Sequence, residues 1–445
     1  MSIPEFPKAG LSRDEVVARL KEAAAGDADW HGGHTFSLVY FAEDELLSVL
    51  KEAYTLFFSA NALSPFAFPS LRRFEEEVVQ MATSLLQGGP EAVGTMTSGG
   101  TESIMMAVKA ARDRARQLRP EIEKPELLLP LSAHPAFEKA AHYFGLETVH
   151  VPLREDYRAD PEEAERLITE NTILMVGSAP GYPHGVVDPI EALAALAAQR
   201  DIPFHVDACL GGYLLPFLRR LGRPIPPFDF AVPGVTSISA DLHKYGFAAR
   251  GASTILYRSE DYRKHQFFAY TRWPGGLYGS PSMVGSRGGG AIAAAWAALT
   301  YLGEEGYLSL ARTILETTEA LEAGIEAIPG LRIVGEPDAS VFAFTGDDLD
   351  IYAVGDAMEA RGWSLDAQQL PAALHLMVTP AHAPVVEPFL ADLREVAEGV
   401  RAGELSSASG MSQIYGMTGG TLDQGPVKDM ILQLMSELLP PRRVA

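Results

Sequence analysis

Lys244 stands in the stretch Ser237-Ile-Ser-Ala-Asp-Leu-His-Lys-Tyr-Gly-Phe247, between an apolar run ending at Ile238 and a second run, Ala252–Tyr257. That placement predicts a lysine on a short turn between two buried strands, with little free water. Burial disfavours an ammonium, so the amine is expected to have its pKa lowered towards neutrality. An amine deprotonated near neutral pH can form a Schiff base with an aldehyde. The competing reading is a lysine that snorkels to the surface. The flanking Ser239, His243 and Gly246 favour the first reading, because they supply donors and a tight turn. One lysine does not choose between the two.

Three other clusters bear on the choice. Thr97-Ser-Gly-Gly-Thr-Glu-Ser103 opens a helical stretch. Gly99 and Gly100 let the backbone approach an anion, and Thr101 begins a helix whose free N–H groups favour negative charge. Capping of that helix by Thr101 or Ser103 is an equally good account. A nucleotide phosphate loop is excluded, since G-x-x-x-x-G-K-S/T is absent. His134 follows a predicted strand, where its ring could stack on a flat cofactor or shuttle protons; a satisfied, partly buried histidine is the alternative. Asp207 ends the run Phe204-His-Val-Asp207, and a carboxylate at that depth needs a cationic partner or several donors. A protonated heteroaromatic nitrogen would serve, as would an arginine or a helix N-terminus. Taken together, a lysine for an imine, an aspartate for a ring nitrogen, a histidine for a ring face and Gly-Gly-Thr for a phosphate match pyridoxal 5'-phosphate. His31 and His34 are separated by two glycines, which argues against a helical metal pair, and no metal is expected.

The elements that must position these groups follow from the hydrophobic pattern. Strands are predicted at Glu126–Leu131, Thr148–Leu153, Thr172–Ser178, Pro203–Ala208, Val235–Ser239 and Ala252–Tyr257. Helices are predicted at Thr101–Leu118, Ala136–Phe144, Pro161–Thr169 and Pro189–Gln199. Continuous apolar strands alternating with helices indicate a mostly parallel sheet covered on both faces, with ligands at the carboxyl ends of the strands. The chain is read as three parts: a helical arm over 1–58, a large domain over 59–305 and a smaller α+β domain over 306–445. The arm carries a capping box at Ser12 and Glu15 and an apolar joining piece, Trp30–Phe41, expected to pack on the body or on a partner subunit.

Composition narrows the partners. With 58 acids against 36 bases the formal charge is −22, which disfavours nucleic acid or an anionic membrane as a partner. The one cysteine, Cys209, allows no internal disulfide and fits a reducing cytoplasm. No membrane span or signal-peptide pattern is read. A cytoplasmic protein with a small-molecule substrate is the expectation.

The sequence resembles the pyridoxal-phosphate enzymes of fold type I, and among them the sphingosine-1-phosphate lyase branch of the group II decarboxylases. The resemblance rests on Asn61–Pro65, Phe68–Leu71, Thr97–Ser103, His134–Lys139, Ser178–Gly185, His205–Gly212, Asp241–Gly246, Trp273–Arg287 and Ile414-Tyr-Gly-Met417. The segment Trp273–Arg287 is the one specific to the lyase branch. The resemblance implies an α/β, transferase-like fold, with a seven-stranded large-domain sheet and a smaller α+β domain. It implies Lys244 as the Schiff-base lysine, Asp207 as the partner of the ring nitrogen and His134 as the stacking residue. Gly100, Thr101 and His243 would hold the cofactor phosphate. Gly279 and Ser280 would come from the second subunit of a homodimer with shared active sites. Tyr40, Asn61, Ser64 and Arg250 would face the substrate. Two positions depart from the family pattern: Ser64 where histidine is usual, and Arg250 where lysine is usual. Arginine keeps a positive charge but cannot act as a base near neutral pH.

The reading that follows is a lyase that breaks a Cα–Cβ bond of a phosphorylated amino alcohol. An amino-acid decarboxylase on the same scaffold is the second. A cofactor-binding protein without turnover is the third, disfavoured because such a protein needs neither Lys244 nor Asp207.

Overall fold

In the computed structural model, which describes residues 6–64, 66–406 and 425–438, two sheets organise the chain. Seven strands form the larger one: β1 (Val93–Thr97), β2 (Glu126–Pro130), β3 (Glu147–Val151), β4 (Thr172–Ser178), β5 (Phe204–Asp207), β6 (Val235–Ala240) and β7 (Ser253–Tyr257). Their order is β1-β7-β6-β5-β4-β2-β3. From β3 to β6 every pairing is parallel. Every residue of β4, β5 and β6 is buried, as expected for strands covered on both faces. The expected α/β architecture is therefore present.

β7 runs antiparallel to both β6 and β1. A parallel return needs a long crossover, whereas the connection 241–252 contains no helix, so the chain turns straight back. Lys244 lies on that turn. β1 is absent from the sequence reading because Gly94 interrupts its apolar pattern. The glycine serves close packing: a Cβ there would lie 2.6 Å from Leu256 Cδ2 and 2.8 Å from the Ile255 carbonyl oxygen.

β8 (Phe268–Trp273) and β9 (Gly276–Ser280) form a separate exposed hairpin. The smaller sheet contains β10 (Leu331–Ile333), β11 (Val341–Gly346), β12 (Asp366–Gln369) and β13 (Ala372–Met377), in the order β10-β11-β13-β12. Its core is built on Phe342, Phe344, Leu374 and Leu376. One helix, Gly289–Glu326, joins the two lobes and bends at Gly303, whose φ is 55°. The stretches Ala291–Ala298 and Tyr307–Ala327, which the sequence suggests as separate helices, are its two arms.

The joining piece of the arm packs on the body. Phe36 is fully buried in the smaller core and stacks on His382 at 4.2 Å. Its N–H donates to the Ser364 carbonyl, and its own carbonyl accepts from Met377 N–H. The helix Arg13–Ala24 shows the expected capping box yet buries no residue. Pro65 and the piece Ile414–Met417 lie outside the described residues.

Candidate active site

Lys244, Asp207, His134 and the opening of the helix Gly100–Leu118 converge on one cavity of about 510 Å³, with Tyr40, His243 and Arg250 also in its wall. Each group reaches it from a strand end, from the turn after β6 or from the arm. Asp207 is the last residue of β5, His134 follows β2, and Gly99 and Gly100 follow β1.

Asp207 is held rigidly. Its Oδ1 accepts from Cys209 N–H at 3.1 Å and from Ser239 Oγ at 3.2 Å. Behind it, His205 bonds to Ser237 and Ser239 through its two ring nitrogens, and burial pushes its pKa down to about 4. Burial alone would raise the Asp207 pKa, but His134, the Cys209 side chain and Lys244 outweigh it and hold the carboxyl below its usual range. Asp207 thus stays an anion in a buried place, which suits a protonated ring nitrogen.

Lys244 departs from expectation. Its Nζ lies 3.0 Å from Asp241 Oδ2, and Asp241 is almost wholly buried. Burial does push the amine pKa down, but Asp241 above all, with Cys209, Tyr40 and Asp207, lifts it above the ordinary lysine value. The expected drop towards neutrality is therefore overturned. The sequence argument counted the desolvation and left out a counter-charge three residues upstream.

The cradle for an anion is built by absence of side chains. A Cβ on Gly100 would lie 2.7 Å from Asp241 Oδ2 and 2.8 Å from Cys209 Sγ, and one on Gly99 would lie 3.2 Å from His243 Cε1. No side chain caps this helix, so the capping account of Thr101 and Ser103 gives way; Ser103 Oγ bonds instead to Thr97 and Ser253. Thr101 is exposed to the cavity. His243 Nδ1 accepts from Ala252 N–H at 3.3 Å, and His134 Nδ1 accepts from Ala136 N–H at 3.1 Å. Burial lowers the pKa of both rings against the pull of nearby carboxylates. Each neutral ring then carries its proton on Nε2 and offers a donor.

Elsewhere in the wall, the Arg250 guanidinium stands 5.9 Å from the Tyr40 ring centre. It pairs with no carboxylate among the described residues. Tyr40 donates to Met377 Sδ at 3.0 Å, and burial pushes its pKa up to about 12. Asn61 and Ser64 do not line this cavity. Asn61 bridges Gly288 through its backbone, and Ser64 lines a second cavity with Gly279, Glu75 and Arg287. Ser280 ends β9, near that second cavity.

Several wall residues escaped the sequence reading. Glu102 is buried in the first helical turn, where Oε2 takes the Ser98 N–H and hydroxyl, and Oε1 takes the N–H groups of Met283 and Val284. It ties the cradle to the segment after β9. Tyr182, from the loop after β4, and Asp366, from β12, also line the cavity. Asp241 and Glu102 sit inside motifs already singled out and could have been weighed as counter-charges. Asp366 gave no signal in its polar surroundings.

A family model described as "Pyridoxal-dependent decarboxylase conserved domain" matches residues 16–346. The chain is 46% identical to sphingosine-1-phosphate lyase of Oryza sativa subsp. japonica, over 97% of this chain and 81% of that protein. It is also 46% identical to sphingosine-1-phosphate lyase 1 of Rattus norvegicus, over 96% of this chain and 76% of that one. The chain belongs to the sphingosine-1-phosphate lyases of the pyridoxal-dependent decarboxylase family. The Burkholderia pseudomallei sphingosine-1-phosphate lyase structure superposes with a TM-score of 0.90 at 40% identity, covering 99% of this chain and 98% of that one. A Lactobacillus brevis glutamate decarboxylase, at 19% identity and a TM-score of 0.79, shares the fold. This family membership makes the protein a pyridoxal-phosphate-dependent lyase. The glycine cradle, the buried Asp207 carboxylate and the lysine on its turn fit that cofactor. Among the described residues no helix is long and apolar enough to cross a membrane.

Proposed function

We propose that the protein is a carbon–carbon lyase that cleaves a phosphorylated amino alcohol, such as sphingosine 1-phosphate, into an aldehyde and phosphoethanolamine. The observation that carries this reading is the cavity itself, which brings a lysine, a buried aspartate, a histidine and a glycine cradle together with Arg250, a cation with no ion pair among the described residues. When bound, pyridoxal phosphate supplies the electron sink for the pair released from the broken Cα–Cβ bond. Lys244 would hold its aldehyde carbon. Asp207, fixed by Cys209 N–H and Ser239, would keep the ring nitrogen protonated, and His134 would cover a ring face. Gly99, Gly100, Thr101 and His243 would hold the phosphate. Arg250 would clamp the anionic end of the substrate, and Tyr40 would wall the passage to it.

The working unit in this reading is a homodimer with shared sites. The hairpin β8–β9 exposes Phe268, Trp273 and Leu277, the last at 86% of its surface, a cost in water that a second copy would relieve. Gly279, Ser280 and Ser64 stand away from the lysine of their own chain, which supports their serving a neighbour. Mixing a Lys244→Ala chain with a Ser280-altered chain should restore part of the activity. A stable, active monomer in sedimentation would overturn this arrangement. The division at 58 and 305 and a cytoplasmic location belong to the same proposal.

Decarboxylation is the second reading, favoured by one observation: neither Ser64 nor Arg250 offers a base for a substrate hydroxyl. Purified protein incubated with sphingosine 1-phosphate, and separately with amino acids, decides between them. Aldehyde with phosphoethanolamine supports the lyase; carbon dioxide from an amino acid, with no aldehyde, overturns it.

A further inference from the structure

Three contacts from the smaller lobe hold Tyr182. Its hydroxyl donates to Asp366 Oδ2 at 2.7 Å. Its carbonyl accepts from His375 Nε2 at 2.7 Å, and the two rings stack at 4.2 Å. Asp366 and His375 are direct cross-strand partners on β12 and β13, so their side chains share one face of that sheet. Tyr182 and Asp366 both line the Lys244 cavity. A smaller-lobe strand pair thus grips one cavity residue by its hydroxyl, its ring and its backbone.

The other carboxylates in the cavity wall hold different partners. Asp207 is bound by Cys209 N–H and Ser239, Asp241 holds Lys244 through Oδ2 while its buried Oδ1 has no hydrogen-bond partner among the described residues, and Glu102 is bound by four donors. His134 and His243 have Nδ1 filled by backbone N–H groups. The Cys209 thiol is pushed far up by burial, and Tyr40 donates to Met377. Asp366 accepts from a phenol, the Tyr182 hydroxyl, which lines the cavity with it.

Resting on the lyase reading above, we propose that Asp366 is a positioning residue that orients Tyr182 and receives through it the proton of the substrate hydroxyl. A phenol that donates to a carboxylate can still accept a second hydrogen bond. As the Cα–Cβ bond breaks, the substrate O–H proton passes to Tyr182 Oη while the tyrosine's own proton passes to Asp366 Oδ2. The O–H electron pair becomes the carbonyl of the leaving aldehyde, and the Cα–Cβ pair stays with the amine fragment. The proton count closes when a proton returns to the amine carbon as phosphoethanolamine forms. Nothing is oxidised or reduced overall. Asp366 is faced by Tyr182 from the loop after β4, by His375 from β13 and by Tyr40 from the arm, with Lys244 and Arg250 across the cavity.

The test uses the cofactor-loaded enzyme and sphingosine 1-phosphate. Asp366→Asn, which keeps an oxygen for Tyr182, should lower kcat about a hundredfold with little change in KM. Asp366→Glu should recover much of the rate. Tyr182→Phe should match Asp366→Asn, and the double variant should be no worse than either, because the two act as one unit. Exchange of the phosphoethanolamine α-protons with D2O needs no hydroxyl acceptor and should stay within about twofold, which separates a lost relay from a damaged fold. Wild-type kcat in Asp366→Asn, or multiplying losses in the double variant, would overturn the inference. If Asp366→Asn does not fold, Tyr182→Phe with a wild-type rate overturns it equally. Wild-type enzyme that releases no aldehyde would instead bring down the lyase reading itself.

Discussion

The two ends of the cavity are built differently. At the cofactor end, Asp207, His134, Gly99 and Gly100 stand just past strands of one sheet, and Lys244 lies on the turn between two of its strands. At the substrate end, Tyr40 comes from the amino-terminal arm, Arg250 from the turn after β6, Tyr182 from the loop after β4 and Asp366 from the other lobe. The first end inherits its precision from the backbone of a buried sheet. The second must be assembled from separate segments, so its geometry depends on how the lobes meet. Chemistry common to many reactions can sit on the first, and substrate choice can drift on the second.

That contrast can be broken most severely at the cofactor end. Lys244→Ala should abolish turnover and the imine absorption band while leaving the fold intact, as followed by visible spectra and circular dichroism. Retention of the band would mean that another lysine carries the cofactor. Asp207→Ala should cost about a hundredfold or more in kcat, because the ring nitrogen loses the anion that keeps it protonated. It should also destabilise the fold by about 1–3 kcal/mol, since the Cys209 N–H and Ser239 hydroxyl lose their acceptor; thermal unfolding measures this.

At the substrate end the effects should be smaller and fall on binding. Arg250→Ala should raise KM roughly ten- to a hundredfold, in line with about 1.5–3 kcal/mol for a hydrogen bond to a charged group, with kcat little altered. An unchanged KM would remove Arg250 from the site. The weakest effect sharpens the dependence on the lobes. His375 and His382 are both buried, and burial pushes each pKa down to about 4. Each ring binds its proton less well in the folded chain than in the unfolded one. The stabilisation is complete above about pH 6.5 and is lost as pH falls towards 4, on the order of 1–2 kcal/mol per ring by pH 5.5. Melting temperatures measured from pH 7 to 5 should fall, and His382→Gln should reduce the slope.

The sequence makes the cofactor end legible because Asp207, His134 and Lys244 each follow an apolar run, and Gly99 and Gly100 open a helix with a strong amphipathic pattern. Helix Ala136–Phe144 and strand Thr172–Ser178 fall where the pattern puts them. What the pattern misses has physical causes. β1 contains Gly94, kept for close approach to β7. β12 reads Asp-Ala-Gln-Gln and is a strand only because β13 supplies its hydrogen bonds, so Asp366 gave no sign of its place in the wall. The Lys244 error is of another kind: desolvation was counted and the Asp241 charge was not.

The bend at Gly303 sets the direction of a rod that ties the two lobes together. Beyond it the helix Gly289–Glu326 continues for about 35 Å, at 1.5 Å per residue. Its first turns lie in the larger core through Tyr307, Ala311 and Ile314, and its last in the smaller core through Leu321 and Ile325. A shift of one core is therefore passed along a single rod to the other.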